Sequence, residues 1–119
     1  MSRLADLHCR PMRAGEPPLE RAAIDARLRE LAPEWSVEPG GPLRRAWSFP
    51  DFASALAFTV RVGALAERED HHPELRLAWG RVEVELSTHV VGGLTDNDFI
   101  LAAKLDALPP CAGTDSAAR

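Results

Sequence analysis

The sequence contains no apolar run near the roughly 20 residues that span a bilayer. Its opening, MSRLADLHCRPM, lacks the apolar core of a secretory signal. There are only two cysteines, Cys9 and Cys111, near opposite ends, so no disulfide framework is implied. Together these absences lead to the expectation of a reduced, cytoplasmic protein with no membrane partner. Basic clusters are also missing. Arg44 and Arg45 form the only adjacent basic pair, and the formal net charge is −4. A phosphate-binding surface needs a clustered basic face, which argues against nucleic acid as a partner. There is no Walker motif, no G-x-G-x-x-G fingerprint and no solenoid-type repeat.

What is present is ordinary globular material. The 119 residues amount to one domain, with 45% hydrophobic and 27% charged residues. Residues 1–18 carry Pro11, Gly15, Pro17 and Pro18 without periodicity and read as an irregular arm. From Leu19 the apolar residues Leu19, Ala23, Ile24, Leu28 and Leu31 share one helical face, and Pro33 stops the helix. The stretches EWSVE and LRRAWSF flank the turn PGGP as a hairpin with a four- or five-residue loop. Pro50 and Asp51 open the strongest helix, whose apolar residues Phe52, Leu56, Phe58, Val60, Val62 and Leu65 run nearly all the way round. Such a helix is buried on more than one side, which points to a second subunit.

Leu75, Leu77 and Trp79 alternate, as do Val82, Val84 and Leu86, so two half-buried antiparallel strands around Gly80 are expected. Thr95 and Asp98 have the spacing of a capping box for the last helix, which Pro109 and Pro110 end. The tail from 109 to 119 is small and polar and is expected to fray. The predicted order is α-β-β-α-β-β-α, an α+β domain over residues 19–108. A four-stranded antiparallel sheet with three helices on one face would bury these patterns.

The unusual stretch is EREDHHPE, residues 67–74, which places two of the chain's four histidines side by side. One reading is structural. Histidines at a helix C-terminus complement the dipole, and a following proline is a common stop. On that reading His71 and His72 cap the helix, His89 is a satisfied strand-end residue, Asp98 only caps, and Glu67 is only solvated. A second reading is a metal site of His71 or His72 with His89 and a carboxylate. Adjacent histidines rarely reach one ion, however, and no H-x-x-x-H spacing occurs. A third is acid–base chemistry, since histidine both donates and accepts protons near neutral pH.

These residues carry a resemblance. Glu67, His71, His72, Pro73, Trp79, His89 and Asp98 stand at the spacing seen in the pterin-4a-carbinolamine dehydratases. Further likeness runs through FPDFASALAFTVRV and GLTDNDFILAAKLD. The opening HCRPMRAGEPPL looks like the bacterial branch, with Met12 where a second cysteine often stands. The resemblance spans roughly residues 8–107. It implies the fold just described, assembled as a dimer or tetramer. It also implies dehydration of a 4a-hydroxytetrahydropterin to quinonoid dihydropterin without cofactor or metal, recycling the pterin of an aromatic amino-acid hydroxylase. By resemblance His71, His72 and His89 are the catalytic residues, with His71 and His89 as acid and base in unassigned order. Glu67, Asp70, Trp35 and Asp98 are the corresponding substrate-binding or histidine-orienting residues. The competing class is a non-catalytic dehydratase-like protein, a transcriptional co-activator or an enzyme assembly factor. Reused assembly factors tend to lose the histidine set that this chain keeps.

Overall fold

Period-two alternation places Val82, Val84 and Leu86 on one face of a strand, and all three are fully buried. Their cross-strand partners on that face are Trp47, Arg45 and Leu43 on one side, and Leu77 and Leu75 on the other. The computed structural model describes residues 4–108. Within them, β1 (Ser36–Val37), β2 (Leu43–Ser48), β3 (Glu74–Ala78) and β4 (Arg81–Leu86) form one antiparallel sheet in the order β1-β2-β4-β3. The helices α1 (Arg21–Leu28), α2 (Phe52–Glu69) and α3 (Asp96–Asp106) pack on its apolar face. The other face stays polar, with an ion pair of 2.7 Å between Arg44 and Glu85. No helix among the described residues is long and apolar enough to cross a membrane.

The expected element order and α+β class are those observed. Three details differ. The first helix begins at Arg21 rather than Leu19, because Glu20 is still extended, at φ −82° and ψ 164°, and the Leu19 N–H pairs with the Leu94 carbonyl at 2.8 Å. Trp79 does not continue the inward alternation of Leu75 and Leu77. It sits at the tip of the two-residue hairpin and is 67% exposed. Its neighbour Gly80 lies against β2's end, where an added Cβ would come within 2.8 Å of the Phe49 carbonyl oxygen. The residues before 19 are not simply a lead-in. Their described part opens with a 3₁₀ turn, Leu4–Asp6, whose Leu4 is buried in the core beside α3. The expected tail, 109–119, lies outside the described residues.

The helix buried most completely is α3, from Asn97 through Ala103 and again at Leu105. On α2 the buried stripe is Ala55, Phe58, Val62, Leu65 and Ala66, while Phe52, Leu56 and Val60 remain exposed. Phe58 packs on Trp47 and Phe49, with ring centroids 4.9 and 5.3 Å away. Burying side chains of this size contributes about 1.5–3 kcal/mol each. The α3 end is tied to the sheet by Asp106. Its carboxylate accepts bonds from the Trp35 indole N–H at 2.8 Å, Arg45 at 2.6 Å and the Ala32 N–H at 2.9 Å.

Candidate active site

The end of α2 is what aims the two histidines. Asp70 takes the left-handed conformation, φ 53° and ψ 41°. The Asp70 N–H then reaches the Glu67 carbonyl at 3.3 Å, and the His71 N–H reaches Ala66 at 3.2 Å. This is the Schellman pattern, which satisfies the last helical carbonyls through the backbone. The helix is therefore terminated without the imidazoles. Their rings are free for other partners, and they find different ones.

His71 Nε2 lies 2.6 Å from Asp98 Oδ1, and the Asp98 side chain is fully buried while that of His71 is 11% exposed. The second oxygen, Oδ2, accepts the Thr95 N–H at 2.9 Å and the Thr88 hydroxyl at 2.8 Å. Because the Thr88 proton goes to Asp98, the Thr95 hydroxyl donates to Thr88 at 2.8 Å and accepts the Asn97 N–H at 3.2 Å. Every donor in this buried network has an acceptor. Asp98 caps α3 with one oxygen and orients His71 with the other. With Asp98 accepting at both oxygens, His71 donates from Nε2.

His72 turns the other way. Its Nε2 lies 2.6 Å from Glu67 Oε2, and both side chains are exposed. His89 is not at a simple strand end. It opens a 3₁₀ turn, His89–Val91, closed by Gly92 in the left-handed region at φ 75°. Thr88 clasps that turn with a 2.9 Å bond from its N–H to the Gly93 carbonyl. His89 is exposed, with no side-chain hydrogen bond to another described residue.

A cavity of about 340 Å³ brings these groups together. Asp70, His71, His72, Thr88 and His89 line it, with Ser87, Val90, Asn97 and residues 10–12 of the arm. A neighbouring cavity of about 380 Å³ shares His72, Ser87, Thr88 and His89 and extends to Gly40 and Gly41 of the β1–β2 loop. Of the residues singled out by sequence, His71, His72, His89 and Asp70 thus meet in one cavity. Asp98 lies buried behind His71, and Glu67 flanks His72 outside. Trp35 is elsewhere: it is 5% exposed, edge-on to Trp47, with its N–H committed to Asp106, and it lines neither cavity. Among the described residues no three His, Cys, Asp or Glu side chains come together as a metal-holding group. Sequence reasoning missed Ser87, Thr88 and Asn97. The only local signal for the first two is that they precede His89 directly.

Nearby charges are set by the arm. Burial and then the Glu69 carboxylate push the Cys9 thiol up to about 12, so it is protonated at neutral pH. Burial alone would raise Glu69, but the Cys9 N–H, His8 and Lys104 outweigh it and hold the carboxyl below its ordinary value.

A four-stranded antiparallel sheet under three helices, opening at one end into a cavity with three histidines and a buried carboxylate behind one of them, has the parts of a proton-transfer site. The family profile described as "Pterin 4 alpha carbinolamine dehydratase" matches residues 17–108. The chain belongs to that family. A Rickettsia bellii protein provisionally named a pterin-4-alpha-carbinolamine dehydratase is 49% identical over 105 residues, covering 88% of this chain and 93% of its own. A Chlorobium limicola protein with the same provisional name is 50% identical over 111 residues, covering 91% and 97%. Among solved structures, a transcriptional coactivator/pterin dehydratase from Brucella melitensis is 35% identical with a TM-score of 0.70, covering 76% of this chain and 96% of that one. A pterin dehydratase-like protein identified as a RuBisCO assembly factor in the alpha-carboxysome is 25% identical with a TM-score of 0.55, covering 63% and 88%.

Proposed function

We propose that the protein dehydrates 4a-hydroxytetrahydropterins to quinonoid dihydropterins by histidine acid–base catalysis. The observation that carries this reading is His71, held by a fully buried Asp98 on the wall of a cavity that His72 and His89 also line. In the reaction the C4a–O bond breaks, a proton passes to the departing hydroxyl, N5 gives up its proton, and its electron pair forms the C4a=N5 double bond. Water leaves. His71 and His89, on separate elements, supply the acid and the base. His72 and Asp70 contact the pterin. Glu67 steadies His72. Trp35 supports the site only from the core.

The product feeds the reductive recycling of the pterin that an aromatic amino-acid hydroxylase uses, and the reaction belongs in the cytoplasm. The exposed apolar stripe of Phe52, Leu56 and Val60 on α2 supports assembly into a dimer or tetramer. Sedimentation at micromolar concentration would then give a dimer or larger, and a clean monomer would defeat that part.

The names of the two solved relatives supply the second reading, a coactivator or assembly role. The retained histidine set favours catalysis over that reading. The decisive measurement is the dehydration of freshly made 4a-hydroxytetrahydropterin, followed spectroscopically with and without the protein. Acceleration well above the spontaneous rate is the expected result. A rate equal to the spontaneous one at micromolar protein would overturn the assignment.

A further inference from the structure

We propose that residues 10–12 of the N-terminal arm form a substrate-contacting wall of the histidine cavity, and that Asn97 is the positioning residue that holds this wall in place. The inference rests on the dehydratase reading and adds a part to its site. The matched family domain begins at residue 17, yet Arg10, Pro11 and Met12 line the cavity beside His71 and His89. One wall of the pocket therefore comes from outside the stretch that the family profile matches.

The arm is fastened at several points. Asn97 Oδ1 accepts the Arg10 N–H at 3.0 Å, and Asn97 Nδ2 donates to the Arg10 carbonyl at 2.7 Å. A side-chain amide thus pairs with both backbone groups of one residue, as a neighbouring strand would. Asn97 is 4% exposed, and its own N–H goes to the Thr95 hydroxyl of the network that holds Asp98. The grip on the arm and the grip on His71 are consequently built on the same turn of α3. One residue upstream, Glu69 accepts the Cys9 N–H at 2.8 Å and lies 3.0 Å from His8 Nδ1. Lys104 stands 3.7 Å from Glu69 and donates to the Ala5 carbonyl at 2.9 Å. Downstream, Glu16 receives Arg10 and the Arg13 N–H, which folds the far side of the segment.

Residues 10–12 belong to no helix or strand, and the buried anchors lie before them and beside them. Backbone held this way at a cavity edge restricts what enters and adds contact to what is bound. Met12 and Pro11 give that wall an apolar surface suited to a flat heterocycle. Loss of the wall should weaken binding of the ground state and transition state alike, which appears in KM rather than kcat.

The test uses the full chain and measures dehydration kinetics together with hydrogen exchange at the Cys9 and Arg10 amides. Asn97→Ala should speed exchange at Arg10 and raise KM about tenfold, with kcat within about twofold. Met12→Ala, on a segment without secondary structure, should raise KM several-fold while leaving melting unchanged, and it decides the matter if Asn97→Ala fails to fold. An active wild type with KM unchanged in Met12→Ala, and unchanged in a folded Asn97→Ala whose Arg10 amide is loosened, overturns the wall alone. A fall in kcat at constant KM in Asn97→Ala places its effect on Asp98 and also overturns it. An inactive wild type overturns the dehydratase reading and the wall with it.

Discussion

His71 and His72 are neighbours in the chain, and each has a ring nitrogen 2.6 Å from a carboxylate. The resemblance ends there. The side chains of His71 and Asp98 are 11% and 0% exposed; those of His72 and Glu67 are 54% and 77% exposed. An exposed ion pair contributes about 0–1 kcal/mol, because water and salt screen it and two side chains must be ordered to form it. Removing one partner of a buried, hydrogen-bonded pair costs several kcal/mol, since what stays behind is stranded away from water. Equal distances therefore describe two different devices: one fixes a ring within a buried network, and the other leaves a ring at the surface with a solvent-screened partner.

The largest expected consequence is kinetic. A positioned general acid or base contributes about 10²–10⁴-fold, or roughly 3–5 kcal/mol of barrier. His71→Ala should lower kcat by a factor in that range, and His89→Ala likewise. His72→Ala should raise KM more than it lowers kcat. Melting curves on the same preparations separate lost chemistry from lost fold. Indistinguishable kinetic profiles for His71→Ala and His72→Ala would erase the distinction drawn between the two pairs.

The next consequence is thermodynamic. Asp98→Ala leaves the Thr95 N–H and the Thr88 hydroxyl without their buried acceptor and removes a helix cap, a loss of about 3–5 kcal/mol in urea unfolding. Asp98→Asn keeps an acceptor and the side-chain shape and should lose less. Glu67→Ala, at the exposed pair, should change stability by about 1 kcal/mol or less. A Glu67→Ala loss as large as that of Asp98→Ala would show that burial is not what separates the pairs.

How far the chain could be read in advance follows from the range of the interactions. The strands were legible because alternation at Val82, Val84 and Leu86 is a local signal. The cap at Thr95 and Asp98 was legible because its partners stand three residues apart. Trp79 misled because alternation does not say where a hairpin turns. The second role of Asp98 could be suspected but not seen, since His71 lies 27 residues away. The arm was opaque. Its fastenings join Cys9 to Glu69 and Arg10 to Asn97 across 60 and 87 residues, and neither partner has a periodic or motif signature. The indole of Trp35 went to Asp106 for a similar reason: the site-like spacing was visible, but the competing carboxylate 71 residues away was not.

The smallest expected effect lies at the residue from which both histidines depart. Asp70 is the one non-glycine among the described residues with positive φ, 53°. Aspartate tolerates that region better than most residues, but glycine meets no steric penalty there. Asp70→Gly should therefore keep the Schellman bonds and raise stability by about 0.5–1 kcal/mol, partly offset by the greater freedom of glycine in the unfolded chain. Glycine is the better local choice at this position, and Asp70 lines the histidine cavity. Together these facts favour a role for the aspartate in the site. Asp70→Gly should then be more stable and slower, while Asp70→Asn, which suits the same backbone and lacks the charge, should be similarly slow without the gain in stability. If Asp70→Gly is stabilised and turns over normally, the carboxylate contributes nothing to catalysis and Asp70 serves only to turn the chain. If it is destabilised, the αL position is held by contacts of the side chain itself, and the aim of both histidines depends on them.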